Sequence, residues 1–280
     1  MNQSLRETYK SKQAKLYYIL HIVAMVTMMI DHIAVLETNG TGTIYIILRL
    51  IGRVAAPLYG YFIFNSFRHT HNKFIFAGRL LTLAVLSEFA YDSMHYNIVT
   101  TGLGVFKSQN ILFTFFMAFC MLWIIDIYWD ADASKKLKIA VITTNIIITT
   151  GIGVVCNFDY AIAMIPFIAG LYIAKRVSME THRQPAYWIP GFYYITANCI
   201  RSMFTTSSVN IAWTYALCLF SIILIVAYSV YEDDKIEVNK TFTKINRWFY
   251  PVHLYLLQIH MIVTYLLLLL SIFRFDVYQT

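Results

Sequence analysis

The side chains of this sequence best suited to chemistry are ionisable residues set inside apolar stretches. A charge at the centre of a bilayer costs a few kcal/mol, so each of them is a candidate for function. His32, which follows Asp31, is the first. A neutral imidazole at a wet membrane boundary takes a proton from an amine or a hydroxyl readily. Arg49 and Arg53 are four apart, project from one helix face, and repel each other unless acidic groups lie opposite. Glu88 and Asp92, also four apart, are the expected partner face. Two readings fit these four: an ion-pair network that fixes helix packing, or part of a reactive constellation. Asp31 sits about 100° around the helix from His32, so adjacency alone does not make it the orienting carboxylate, and one from another span serves equally well. His21 lies eleven residues before His32, about three turns and about 16 Å away along one face. His253 and His260 likewise share a face.

The elements that must position these groups are membrane spans. Of 280 residues, 59% are hydrophobic and 13% charged, about half the charge of a typical soluble domain. A crossing helix needs about 20 mostly apolar residues, and such runs recur from Leu16 to Asp276 with short polar breaks. The expected fold is therefore an all-α integral membrane protein, a polytopic bundle of about nine transmembrane helices. The nine are Leu16–Leu36, Ile44–Ser66, Phe74–Asp92, Asn110–Trp129, Leu137–Val155, Phe158–Ala174, Ala186–Phe204, Asn210–Tyr231 and Tyr250–Phe273. Cys156 and Asn157 are the only link between the fifth and sixth. In domain terms, residues 1–15 form a basic amino-terminal segment, 16–273 one transmembrane domain, and 274–280 a short outer tail. The first apolar run is too long for a signal peptide and lacks a small-residue cleavage site, so it reads as a retained span. Cys120, Cys156, Cys199 and Cys218 are scattered and read as small apolar residues inside helices.

The net charge of +7 follows membrane topology rather than a nucleic-acid surface. With the amino terminus in the cytoplasm, the inner segments hold 16 of the 22 Lys and Arg residues, the outer ones only Lys107 and Arg274. Arg49, Arg53, Arg79 and Arg201 lie within spans. On this orientation Asp31, His32, Arg49, Arg53, Glu88, Asp92, Asn110, Asp159 and Arg201 meet at one outer level, brought there by six different spans. A second, inner group comprises His21, Arg68, His69, His71, Arg79 and His253, and forms a basic vestibule suited to an anionic cytoplasmic ligand. Ordinary positive-inside charge accounts for Arg68 and Lys73 but not for Arg79. His69 and His71, in a loop, are too weak a ligand set to require a metal.

Several stretches carry a family resemblance. Met28-Met29-Ile30-Asp31-His32-Ile33, followed by Arg49-Leu50-Ile51-Gly52-Arg53-Val54-Ala55-Ala56-Pro57-Leu58, resembles the opening signature of the TraX family of membrane acetyltransferases. The likeness continues in order through Phe67-Arg68-His69-Thr70-His71-Asn72, Arg79-Leu80, Leu86-Ser87-Glu88-Phe89-Ala90-Tyr91-Asp92, Gln109-Asn110-Ile111-Leu112-Phe113-Thr114 and Asp159-Tyr160. It ends at Phe249-Tyr250-Pro251-Val252-His253-Leu254. A broader set of membrane acyltransferases, including lysosomal heparan-sulfate acetyltransferases, is distantly similar. One branch has a basic residue eleven positions before a histidine, where this chain has His21 and His32. The resemblance implies a cell-membrane acyltransferase that moves an acetyl group from acetyl-CoA to a peptide amino terminus, a glycan or a lipid head group.

On that implication His32 deprotonates the acceptor, Asp31 or Glu88 orients His32, Arg53 or Arg49 stabilises the oxyanion, and Glu88 and Asp92 fix the arginines and the acceptor. Arg79, His21, His253 and Arg68 contact CoA phosphates or line the donor channel, and Asn110, Asp159 and Arg201 face the acceptor. The rival reading is a transporter in which the same charges line a permeation path; a non-catalytic scaffold is a third. Transporters often carry paired repeats with discontinuous helices. No such repeat is found here, although Asn198 and Arg201 interrupt the seventh span, and Pro57, Pro166, Pro190 and Pro251 do not pair symmetrically.

Overall fold

The computed structural model describes residues 3–37, 42–95, 108–206, 213–231 and 238–277. Lys107, Lys235 and the expected start of the eighth span at Asn210 lie outside them, as do the side chains of Arg6 and Arg274. The regular elements among the described residues are all helices: α1 (Gln3–Glu37), α2 (Gly42–Gly52), α3 (Ala55–His69), α4 (Lys73–His95), α5 (Ile111–Asp130), α6 (Lys135–Val155), α7 (Ala161–Thr181), α8 (Trp188–Thr206), a 3-10 turn (Trp213–Leu217), α9 (Cys218–Ser229) and α10 (Lys240–Val277).

Among the described residues, six segments are long and apolar enough to cross a membrane: Glu7–Leu36, Gly42–His69, Lys73–Met94, Ile111–Asp130, Lys135–Val155 and Ala161–Thr181. They match the first six expected spans. The last three differ in kind. α8 covers the seventh, but Asn198, Arg201 and Ser202 make it less apolar. In place of the eighth stands a shorter apolar helix, Tyr215–Ser229, below the roughly 20 residues of a full crossing. α10 runs over the ninth but starts at Lys240, ten residues earlier than Tyr250. That earlier start shifts every side chain of the helix along the bundle axis.

The outside of the bundle has the character of a lipid-facing surface. α6 buries only Ile142, Thr149 and Gly153, while Ile139, Ile147, Ile148, Ile152 and Val155 stand exposed. A helix apolar on its open face has no place in water and is at home in hydrocarbon. α3 is the opposite case. It buries ten of its fifteen residues and packs against α1, α5, α7 and α9. Tyr61 and Phe64 meet the buried ring of Tyr187 edge-on, with centroids 6.1 and 5.8 Å apart, a favoured arrangement of ring quadrupoles.

The second expected span is broken. Arg53 N–H still donates to the Arg49 carbonyl at 3.0 Å, but Val54 N–H closes a tighter bond to Ile51 at 3.2 Å, and a new helix starts at Ala55. Pro57 explains the break: it has no N–H to offer the Arg53 carbonyl four residues back, and its ring crowds that carbonyl. The carbonyls at the break find other donors, Cys218 Sγ to Arg53 at 3.3 Å and Ser221 Oγ to Val54 at 2.8 Å. α9 thus covers backbone that the proline leaves open, as buried carbonyls require. The single expected span Ile44–Ser66 is thus two helices, divided before Pro57.

The link between α6 and α7 is five residues, 156–160, rather than two. Asn157 and Tyr160 adopt left-handed backbone, with φ of 54° and 58°. Gln109 N–H donates to the Asn157 carbonyl and Asp159 N–H to the Gln109 carbonyl, each at 2.9 Å. Thr114 Oγ1 donates to the Asp159 carbonyl at 2.6 Å. Asp159 is therefore pinned in a turn rather than opening a helix.

α2 approaches α1 closely because residue 52 is glycine. A Cβ there would run into the side chain and Cα of Asp31. Gly52→Ala is expected to push the two helices apart, lowering stability by about 1–3 kcal/mol. The check is a thermal melt of purified protein; an unchanged midpoint would contradict the close packing.

Candidate functional site

The break places Arg53 on the wall of a cavity of about 300 Å³. Asp31, His32, Arg49, Arg53, Asp159 and Arg201 all line it, so six residues expected at the outer level do converge. Arg53 is 7% exposed. Its Nη1 donates to the Tyr160 hydroxyl, and its guanidinium lies 4.8 Å from the centroid of the Tyr215 ring, within cation–π range. Arg49 pairs with Asp31 at 2.5 Å. Three arginines and two aspartates thus share one wall, and Tyr45, Tyr91, Tyr160, Tyr215 and Tyr250 complete it. Sequence reading missed the tyrosines, because aromatic residues in apolar runs give no separate signal.

The partner face for the arginines is a correction. Glu88 and Asp92 do not line this cavity. Glu88 Oε2 instead accepts from Asn110 N at 3.1 Å and from Asn110 Nδ2 at 2.5 Å. Asp31 takes the role expected of Glu88, because Gly52 lets α2 lie directly against α1. Asn110 also lies off the cavity: its Oδ1 accepts from Leu112 N at 3.0 Å and caps α5, a local helix-start interaction. Its Nδ2 donates to the Ala84 carbonyl at 2.8 Å, so it ties α4 to α5.

His253 is a second correction. It belongs with His32, not with the inner group, because α10 begins earlier than expected. His32 Nδ1 and His253 Nε2 are 2.7 Å apart, the ring centroids 4.9 Å apart, and the planes within 7° of each other. That centroid separation is the N···N distance plus one ring radius at each end. The two imidazoles therefore meet edge to edge in a common plane, the geometry of a direct hydrogen bond.

A second cavity, of about 230 Å³, contains His21 and Arg79 as expected. Arg247, Asn246 and Thr243 join them; sequence reading gave Arg247 to a cytoplasmic loop, whereas α10 already includes it. His21 is sandwiched between Tyr17 and Phe62, with centroids at 4.1 and 3.7 Å, and its Nδ1 is 2.9 Å from the Tyr17 carbonyl. Met28 and Tyr250 line both cavities, so the two abut along the face of α1 that carries His21 and His32. Arg68 is elsewhere. It lines a third cavity, of about 270 Å³, with Lys73, Asp126, Tyr172, Lys175 and Arg176, where Lys73 pairs with Asp126 at 2.5 Å.

Apolar helices around arginine-lined cavities define a helical membrane protein. The family follows from comparison. The family model described as TraX protein matches residues 17–261, a range that contains every residue lining the first two cavities. The chain belongs to the TraX family. A Dichelobacter nodosus protein described as a probable fimbrial assembly protein FimC, serogroup H1, is 32% identical over 108 residues. That match covers 38% of this chain and 44% of the relative, so it spans less than half of that protein's length. No solved structure matches the chain.

Proposed function

We propose that this protein is a membrane-embedded acyltransferase that moves an acetyl group from acetyl-CoA to an amine or hydroxyl acceptor. The observation that carries this reading is the pair of abutting cavities: one presents a histidine facing arginines, the other is apolar in its walls with cations at Arg79 and Arg247. In this reading the donor's anionic groups meet Arg79 and Arg247, and its thioester reaches past Met28 and Tyr250 towards His32. The acceptor's nitrogen or oxygen attacks the thioester carbonyl while His32 takes its proton. The new N–C or O–C bond forms, the C–S bond breaks, and the same proton passes to the departing thiolate. Arg53, with Arg49 held by Asp31, stabilises the oxyanion. Contacts of that kind are often worth about 3–4 kcal/mol. The fimbrial-assembly description of the relative supports an acceptor on a pilus or fimbrial subunit, such as a peptide amino terminus.

A transporter is the second reading, favoured by one observation: the α2–α3 helix is discontinuous beside the cavity, as in many transporters. Against it, Pro166 and Pro251 lie inside helices that continue through them, so the break has no counterpart at the other described intrahelical prolines.

The same reading orients the chain. With the Lys and Arg bias of the loops, the amino terminus is cytoplasmic, about nine segments enter the membrane, and the donor cavity opens inward. Single cysteines placed in segment 38–41 are expected to react with an impermeant maleimide in intact cells, and cysteines in segment 232–237 only after lysis. The opposite labelling pattern would reverse the orientation.

The catalytic assignment predicts that His32→Ala keeps the fold and acetyl-CoA binding while turnover per folded molecule drops about 10²–10⁴-fold. Melting, donor binding and acetyl transfer, measured on one preparation, separate the cases. Wild-type turnover in His32→Ala would remove His32 as the base, and a lost fold with proportional residual activity would make it structural.

A further inference from the structure

His253 is buried, 1% exposed, does not line the cavity, and has no part in the transfer step as written above. We infer that it is a positioning residue, which fixes the tautomer of His32 by accepting a hydrogen bond from His32 Nδ1. The inference rests on the acyl-transfer reading for its consequence, though not for its geometry.

The direction of each bond is forced by what each atom is able to do. His253 Nδ1 lies 2.7 Å from the Phe249 carbonyl. A carbonyl oxygen only accepts, so His253 Nδ1 carries a hydrogen. In the neutral ring Nε2 is then the acceptor, and this is the atom 2.7 Å from His32 Nδ1. His32 must therefore carry its hydrogen on Nδ1, which leaves the lone pair on Nε2 of a ring that lines the cavity. The chain of bonds starts at the backbone of α10 and ends at the basic nitrogen of α1. Coplanar rings keep the bond straight, and Phe249, 4.6 Å from His253 between centroids and 14° from its plane, stacks on that ring and restricts its rotation.

The arrangement takes the place that a carboxylate often fills behind a catalytic histidine. Of the carboxylates nearby, Asp31 pairs with Arg49 and Glu88 with Asn110. A neutral imidazole serves the same end differently. When His32 Nε2 gains the acceptor's proton, the imidazolium still donates from Nδ1 to His253 Nε2, which stabilises the charge. No second proton is lost, because the Phe249 carbonyl at the far end cannot take one.

The experiment is nitrogen NMR on [15N]histidine-labelled protein in nanodiscs, with the His32 signals assigned by their loss in His32→Gln. Wild type is expected to show His32 protonated at Nδ1 and bare at Nε2. In His253→Phe those signals shift towards the other tautomer, and turnover falls at least tenfold with the acetyl-CoA KM unchanged. In His253→Gln, whose Oε1 also accepts from His32 Nδ1, the Nδ1–H tautomer and most of the turnover return. A wild-type His32 protonated at Nε2 overturns the inference, and so does an unaltered tautomer in His253→Phe. If His253→Phe does not fold, the wild-type and His253→Gln spectra decide alone. A wild type with the Nδ1–H tautomer and no acetyl transfer upholds the positioning role and rejects the acyl-transfer reading instead.

Discussion

A guanidinium buried in a bundle whose outer surface is hydrocarbon-like must draw its partners from the interior of the protein. Arg53 is that group, and much of the architecture answers to it. Pro57 breaks the helix beside it and frees the Arg53 carbonyl. Cys218 and Ser221 then dock α9 against the break. The Tyr160 hydroxyl and the Tyr215 ring surround the side chain. Tyr160 is in place because the turn before α7 is stitched to Gln109 and Thr114. One buried cation therefore connects α2, α3, α5, α7, the 3-10 turn and α9.

Helix α1 supplies the second axis. Its Asp31 neutralises Arg49 where Gly52 admits close approach, and its His32 reaches across to α10 through His253. Three turns away its His21 sits between aromatic rings in the neighbouring cavity. The same helix face thus serves both cavities, with Met28 and Tyr250 at their junction. The proposed division of labour, donor on one side and acceptor on the other, uses that continuity. Substituting either tyrosine or glycine neighbours of the arginines would alter the site without removing any charged group.

What was readable in the sequence was whatever depends on one helix at a time. The eleven-residue spacing of His21 and His32 fixes a shared face, and long apolar runs fix six spans. Six of the nine residues expected at the outer level, from four of the expected spans, line one cavity, since charges avoid lipid and share the interior. What was not readable depends on how two helices meet. The Asp31–Arg49 pair needs the α1–α2 approach that Gly52 permits, and spacing alone pointed to Glu88 and Asp92 instead. His253 and Arg247 were misplaced because the stretch 240–249, with Lys240, Lys244 and Arg247, reads as a loop, while it extends α10. Arg68 was grouped by depth with Arg79, but depth does not say which side of a helix a residue faces, and it lines another cavity.

The central claim, that the two cavities join an acyl donor to an acceptor, is tested most directly by following thiol release and labelled acetyl from acetyl-CoA with purified protein in nanodiscs. A peptide bearing a fimbrial or pilin amino terminus is supplied as acceptor. The account predicts free thiol and acetylated peptide in equal amounts, with both lost in Arg53→Lys, which keeps the charge but not the planar set of donors. Folded wild-type protein that binds acetyl-CoA and releases no thiol, or an Arg53→Lys variant with full turnover, would contradict it.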